Sequence, residues 1–326
     1  MIMYSISQLV DLTDKGINSL TIPETPNHLY DPIRYTLASG GKRIRPVLVL
    51  AACNAYSNSI DKALHPALAI ELFHNFTLIH DDIMDHAPLR RNQPTVYAKW
   101  GQDVAILSGD ALNILAYRLL SKTDKEYLVP VLNVFNTIAL GVCDGQQMDM
   151  DFEKTHYVTQ EEYITMIDLK TSILLNGALQ IGGIIGGASN SDIINLGEFG
   201  RNLGLAFQLQ DDLLDAYGES NSFGKKIGGD ILANKKTFLT IKAFSIAKGN
   251  SLELLSGYFK AENIDPESKI QGVIKIYDET GVKDITQAKI NEYYQNAKVA
   301  LDKLSVKPER KEILFELAEK IMQRNS

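Results

Sequence analysis

The sequence predicts an all-α protein, organised as one domain over residues 1–326. Three observations carry this reading. Apolar residues recur at helical period along most of the chain, and no run alternates strictly for long enough to require a strand. Seven of the ten prolines precede residue 100 and none lies between Pro130 and Pro266, so the middle of the chain is open to long uninterrupted helices. Two acidic runs of one pattern each close an apolar segment: DDIMD at residues 81–85 and DDLLD at residues 211–215.

Composition narrows the class of protein. An apolar content of 45% in 326 residues is enough for a large core, and nothing in the chain reads as a linker. The net charge of −7 argues against a nucleic-acid partner, which asks for a basic face. Cys53 and Cys143 stand in no metal-ligand or CxxC spacing, which suits reduced thiols. The N-terminus, MIMYSISQLVDLTDKG, has no basic start and no long apolar run, so the expected location is the cytoplasm. Residues 171–191 carry no charge over 21 positions, the length of a membrane span. Asn176, Gln180 and five glycines dilute that run, so no stable membrane insertion is expected and a buried helix of small residues fits better.

Residues 1–39 read as an amphipathic helix, a turn with Pro23 and Pro26, and a second helix starting near Pro32 at its first position. Gly40 and Gly41 break it. GGKRIRP, residues 40–46, then sets three cations in a turn ahead of the apolar helix VLVLAACNAY. Alone, that motif is as readily an exposed basic turn, and it is no Walker loop because GxxxxGK[ST] is absent. The next apolar segment, ALAIELFHNFTLI, carries His74 seven residues before Asp81, two turns back on the same face. A lone histidine in such a helix is more often a hydrogen-bonded core residue, and only its face raises the alternative.

The segment LIHDDIMDHAPLRRNQPT follows at residues 78–95. Asp81 and Asp85 share one helical face, as do Asp211 and Asp215 in FQLQDDLLD. A single DDxxD is usually a solvated acidic face, but both of these terminate helices that are apolar upstream. Carboxylates about 6 Å apart repel by roughly 3 kcal/mol at an effective dielectric near 20, so a half-buried cluster needs counter-charge. Oxygen ligands with no histidine or cysteine among them point to Mg²⁺ together with phosphate oxygens. Arg90 and Arg91, on a loop after Pro88, are placed to grip such oxygens, although exposed arginine pairs are common.

Farther along, GQQMD at residues 145–149 ends one helix, and LKTSILLNGALQIGG begins another. Its stripe Thr171, Leu174, Ala178, Ile181 serves equally as plain core or as one wall of an apolar tunnel. In FGKKIGGDILANKKT, Lys225, Lys226, Lys235 and Lys236 flank a glycine-rich turn suited to covering phosphates. From Lys242 onwards the helices are amphipathic and charge-laced, with no chemistry readable in them.

GGKRIRP, LIHDDIMD with LRR, GQQMD, Lys170-Thr171, FQLQDDLLD and GKKIGGDILANKKT stand in one order across residues 37–240. In this the chain resembles the trans-isoprenyl diphosphate synthases, the family of farnesyl and geranylgeranyl diphosphate synthases. The resemblance implies long antiparallel helices around a central cavity, with the two aspartate motifs facing each other and sharing Mg²⁺. It makes Asp81, Asp85 and Asp211 metal ligands, and Asp82, Asp212 and Asp215 supporting or water-mediated partners. Isopentenyl diphosphate falls to Lys42, Arg45, His74 and Arg91. The allylic diphosphate falls to Arg90, Lys170, Lys225 and Lys235, with Lys170, Thr171 and Gln208 closest to the chemistry. A homodimer is implied as well.

The implied reaction suits these residue types. Ionising an allylic C–O bond makes a carbocation and a diphosphate, isopentenyl diphosphate attacks the cation, and a proton is lost to the departing diphosphate. No protein nucleophile is needed, and water must be kept out. Two departures stand out: Asn92 occupies the place where the family has glycine after the arginine pair, and the first motif lacks the two-residue insertion of bacterial farnesyl diphosphate synthases. An aromatic five positions before the first aspartate, here Phe76, closes the tunnel floor in the family, so a C20 product is expected first and C15 next. Ideal helix phase sets Phe76 about 140° from Asp81 and Thr77 only about 40° away, so the inward pointing of Phe76 rests on the resemblance. Medium- or long-chain synthases, and at greater distance a terpene cyclase, are the alternatives. A membrane prenyltransferase needs several spans, and a non-catalytic partner subunit should have lost one of the intact motifs.

Overall fold

The computed structural model describes residues 3–218, 228–261 and 263–323. The chain begins with α1 (Ile6–Asn18), α2 (Asn27–Ala38), α3 (Ile44–Tyr56) and α4 (Asp61–Met84), then a short antiparallel hairpin of β1 (Leu89–Arg90) and β2 (Gln93–Pro94). It continues through α5 (Val96–Trp100), α6 (Gln102–Leu120), α7 (Lys125–Lys154) and α8 (Gln160–Ile167), a π-helical turn (Asp168–Ser172), α9 (Ile173–Gly186) and α10 (Asn190–Tyr217). Last come α11 (Gly229–Leu232), α12 (Phe238–Ile246), α13 (Asn250–Lys260), α14 (Pro266–Thr280), α15 (Val282–Asp302) and α16 (Pro308–Met322). The protein is all-α, as expected, and the hairpin is the one sheet among the described residues.

Local chemistry explains where several helices start. Ser5 and Gln8 form a reciprocal capping box on α1, and Thr159 and Glu162 do the same on α8. Asp265 caps α14, with Pro266 in its first turn. Helix α2 starts earlier than expected: Pro26, extended at φ −74 and ψ 134, is its N-cap, and Pro32 lies inside the helix. A proline there removes a single i→i−4 bond, which the remaining turns tolerate. Long helices do occupy the middle of the chain: α10, with 28 residues, lies wholly in the proline-free stretch, and α7, with 30, carries Pro130 in its second turn and runs on into it.

Contacts sort the chain into two compact units. The first comprises Met1–Thr137, Gly177–Gly197 and Lys303–Leu317, and the second Ile138–Asn176, Glu198–Asp302 and Ala318–Ser326. In the first, α3 is buried on all sides over residues 46–55 and packs on α4, which packs in turn on α6. The Gly182 and Gly186 pair presses α9 onto α3: a Cβ at either would come within 3 Å of the carbonyl oxygen of Val49 or Cys53. The GxxxG spacing thus serves helix packing. In the second unit Leu205, Leu209, Phe238, Val273, Ile276 and Tyr277 centre an apolar core built from α8, α10, α12, α14 and α15.

Residues 171–191 form no single helix, being divided among the π turn, α9 and the start of α10 with Gly187 left-handed at φ 84. Among the described residues the one helix long and apolar enough to cross a membrane, by length and composition, is α7.

Candidate active site

The first unit gathers the basic motifs around one histidine. His74 Nε2 lies 3.1 Å from Arg45 Nη1. A guanidinium only donates, so Nε2 accepts and the ring proton sits on Nδ1. Desolvation, followed by the like charges of Arg45, Arg91, Arg90 and Arg43, holds His74 well below the ordinary imidazole range, so it stays neutral. Arg43 and Arg90 are engaged by carboxylates, so Arg45 and Arg91 beside the ring make the focus of positive potential that suits an anion. Arg91 reaches it from the hairpin, donating to the carbonyl of Gly40 and so tying the hairpin tip to the loop that carries Lys42. Lys42 itself is exposed. Arg91 and Asn92 are both left-handed, at φ 53 and 60, between strands paired Arg90 to Gln93, which is the geometry of a type I′ turn. Asn92 accepts the backbone that glycine would otherwise supply.

Arg43, the second cation of GGKRIRP, is not part of the open cationic surface. It is buried, left-handed at φ 49, and donates to Glu71 Oε1 at 2.7 Å, Asp14 Oδ1 at 2.9 Å and the Leu37 carbonyl at 3.0 Å. Glu71 is equally buried. Nothing in the sequence marks this pair, because its members lie 28 residues apart and Glu71 reads as a stray charge in an apolar helix.

The two aspartate motifs share a division of labour. In the first, Asp82 is buried and accepts from Arg90 Nε at 2.8 Å, while Asp81 and Asp85 lie on the outer side, with Arg90 Nη2 3.4 Å from Asp81 Oδ2. Burial pushes the Asp82 carboxyl up to about 6 against the pull of Arg90. In the second unit Asp212 is buried between Tyr163, whose hydroxyl donates to Oδ2, and Gln208, whose Nε2 donates to Oδ1 at 3.1 Å. Burial and the neighbouring Asp230 carry it up to about 8. Asp211 is partly exposed, and Asp215 accepts from the backbone N–H of Asp230 at 2.9 Å.

A cavity of about 120 Å³ in the second unit is lined by Lys170, Thr171, Gln208 and Asp212 together with Asp149, Asp230 and Lys235. Lys170 Nζ is 2.6 Å from Asp149 Oδ2. Thr171 Oγ1 donates to Gln208 Oε1 at 3.0 Å, so Thr171, Gln208 and Asp212 form one hydrogen-bonded line. Two expectations need correction here. GQQMD lies inside α7, which runs on to Lys154, and Leu169 begins no helix. Lys170 and Thr171 sit in the π turn between α8 and α9, a form that recurs where side chains must be turned towards a function. Its cause is packing. A Cβ on Gly145 of α7 would stand 2.4 Å from the Lys170 nitrogen, and one on Gly204 of α10 2.5 Å from the Ser172 Cα.

Gly145→Ala is therefore expected to destabilise the protein by about 1–3 kcal/mol through overpacking and to lower turnover, since Lys170 and Thr171 must shift. Gly257→Ala, where a Cβ meets open space, is the control. Parallel denaturation curves and kinetics read both, and wild-type behaviour of Gly145→Ala refutes the account of the π turn.

Phe76 meets His80 edge to face, ring centroids 4.7 Å apart, and Phe73 at a tilt with centroids 5.5 Å apart. His80 in turn meets the Ile106 carbonyl of α6 at 3.2 Å. Thr77 donates to the His74 carbonyl at 2.8 Å. Lys225 lies outside the described residues. No group of three or more His, Cys, Asp or Glu converges as a metal cage among the described residues. Paired carboxylates on an outer helix face, all oxygen donors, fit an ion that keeps its waters and shares phosphate oxygens better than a closed structural site.

The polyprenyl synthetase family profile matches residues 26–277. The chain is 37% identical to the geranylgeranyl diphosphate synthase of Methanosarcina mazei over 95% of its own length and 94% of the relative's. The chain belongs to the polyprenyl synthetase family. It is also 31% identical to the geranylfarnesyl diphosphate synthase of Natronomonas pharaonis, over 98% of this chain and 97% of that one. The solved geranylgeranyl pyrophosphate synthetase of Pyrococcus horikoshii superposes with a TM-score of 0.91 at 35% identity, covering 98% of this chain and 97% of that one. As a polyprenyl synthetase the protein is a trans-prenyltransferase of the short-chain type, with the helical fold expected from its sequence. The residues that sequence reasoning missed in this prenyltransferase are Arg43, Glu71, Asp149, Tyr163 and Asp230. Arg43, Asp149 and Asp230 had a signal, since they lie within GGKRIRP, GQQMD and GKKIGGDILANKKT, whereas Glu71 and Tyr163 had none.

Proposed function

We propose that this prenyltransferase condenses isopentenyl diphosphate with an allylic diphosphate and releases a C20 prenyl diphosphate. The observation that carries the reading is the cationic focus around neutral His74, which suits a diphosphate bound directly by protein. Lys42, Arg45, His74 and Arg91 hold isopentenyl diphosphate there. Arg90, Lys170, Lys225 and Lys235 hold the allylic diphosphate, for which Asp81, Asp85 and Asp211 would hold Mg²⁺. The bound Mg²⁺ would neutralise charge on the leaving diphosphate. Asp82 and Asp212 anchor the helix ends, and Asp215 holds the start of α11 through the Asp230 N–H. Thr171 and Gln208, locked to each other, offer dipoles beside the developing cation while neighbouring apolar side chains exclude water. The proton released on C–C bond formation passes to the departing diphosphate.

The test is incubation with isopentenyl diphosphate, Mg²⁺ and each allylic primer in turn, followed by sizing of the products. A C20 majority is expected, a C15 or C25 majority overturns the product length, and no diphosphate release with any primer overturns the reading. Phe76→Ala is expected to lengthen the products with the fold kept, since the floor recedes by about 5.4 Å, one helical turn. A loss of about 3–5 kcal/mol of stability with unchanged products would make Phe76 a core residue instead. The enzyme is further proposed to be a homodimer. Leu107 and Ile114 lie one heptad apart on α6, 59% and 61% exposed, with Tyr117, 36% exposed, one turn further on. Sedimentation equilibrium giving a monomer would overturn this.

A further inference from the structure

The C-terminal third holds a buried lysine that the mechanism above does not use. Lys269, near the start of α14, is 3% exposed. Its Nζ donates to Asn234 Oδ1 at 2.6 Å and lies 5.5 Å from the Phe259 ring centroid, and no carboxylate pairs with it among the described residues. A buried ammonium with one amide partner is costly to keep. Asn234 is the residue it serves. Left-handed at φ 55, Asn234 closes the turn after α11 and immediately precedes Lys235, whose N–H bonds the Asp230 carbonyl at 2.9 Å.

The turn is fastened at both ends. Asp215 accepts from the Asp230 N–H at its start, and Thr240, 2.8 Å from the Tyr277 hydroxyl of α14, donates to the Lys235 carbonyl at 3.2 Å. Asn234 and Lys235 both line the 120 Å³ cavity. An ammonium can only donate, so it fixes the amide with Oδ1 turned to Lys269, leaving Nδ2 as the end able to donate to a ligand oxygen.

We propose that Lys269 is a positioning residue for the reaction: through Asn234 it fixes the turn that presents Lys235, and the Asn234 amide N–H, to an oxygen of the allylic diphosphate. The proposal rests on the prenyltransferase reading. Its test is a double-mutant cycle of Lys269→Met, which keeps the packing, and Asn234→Gly, which keeps the left-handed backbone. Each single variant raises the allylic-diphosphate KM by about 10-fold with little change in kcat or in the isopentenyl-diphosphate KM, a coupling of the usual size for residues in contact. The double variant is no worse than either. Calorimetric titration of the wild type and variants with inorganic diphosphate and Mg²⁺ shows the same weakening without turnover. Effects that multiply to about 100-fold in the double variant overturn the proposal. So does an unchanged KM in Asn234→Gly, which decides the matter even where Lys269→Met fails to fold. If the wild type condenses no pair of substrates, the prenyltransferase reading falls, and the calorimetric cycle still reports whether Lys269 acts through Asn234.

Discussion

Replacing Asp81 or Asp211 by alanine is expected to lower kcat by roughly 10²–10³-fold, the size seen when one group stabilising a developing charge is removed, with the fold intact. The structure separates these two aspartates from their neighbours. Asp82 is held by Arg90, and Asp212 by Tyr163 and Gln208, so each helix end keeps its buried anchor when the outer carboxylate goes. Like charge contributes to the raised carboxyls of both anchors, from Asp81 and Asp85 on one and from Asp230 and Asp211 on the other. Removing Asp81 or Asp211 therefore relieves repulsion in the ligand-free protein, and the Tm should hold or rise. Chelation of Mg²⁺ should reproduce the loss in the wild type. Near-normal turnover of either variant in Mg²⁺ would show that the ion is held elsewhere.

The largest loss of stability is expected from Glu71→Ala, at about 3–5 kcal/mol, because it leaves the Arg43 guanidinium buried without its buried partner. Asp14 offers little replacement: its side chain is 47% exposed, whereas those of Arg43 and Glu71 are each 5% exposed. The pair Arg43→Met and Glu71→Leu together should recover most of the loss, since two apolar side chains need no partner. Urea denaturation of the three variants reads this directly, and a loss below about 1 kcal/mol for Glu71→Ala would mean that water already reaches the pair. Glu71→Ala should also weaken isopentenyl-diphosphate binding, because Arg43 pins the loop between Lys42 and Arg45.

Much of the chemistry was legible because it is local. An i,i+4 carboxylate pair depends on residues within one or two turns, so spacing alone fixes which side chains share a face. The loop expected at Arg90 and Arg91 is a hairpin closed by a type I′ turn, whose left-handed backbone Asn92 tolerates.

The rest was decided by contacts between residues far apart in the chain. Tyr163 reaches Asp212 across 49 positions, Arg43 reaches Glu71 across 28, and Lys269 reaches Asn234 across 35. None of these leaves a periodic trace, so the C-terminal third read as amphipathic helices alone although α14 supplies Lys269 and Tyr277 to the turn beside the cavity. The π turn is of the same kind. DLKTS is an ordinary helical sequence, and what widens it is the approach of α7 and α10 at Gly145 and Gly204, a matter of packing density. The sequence by itself determined the helical class, the two acidic faces and the cationic loops, since each follows from short-range geometry. Tertiary structure alone decided which aspartate in each motif is buried, which arginine of the basic loop is an anchor, and how Lys170 and Thr171 are turned, because burial and partner choice are set by neighbours that sequence distance conceals.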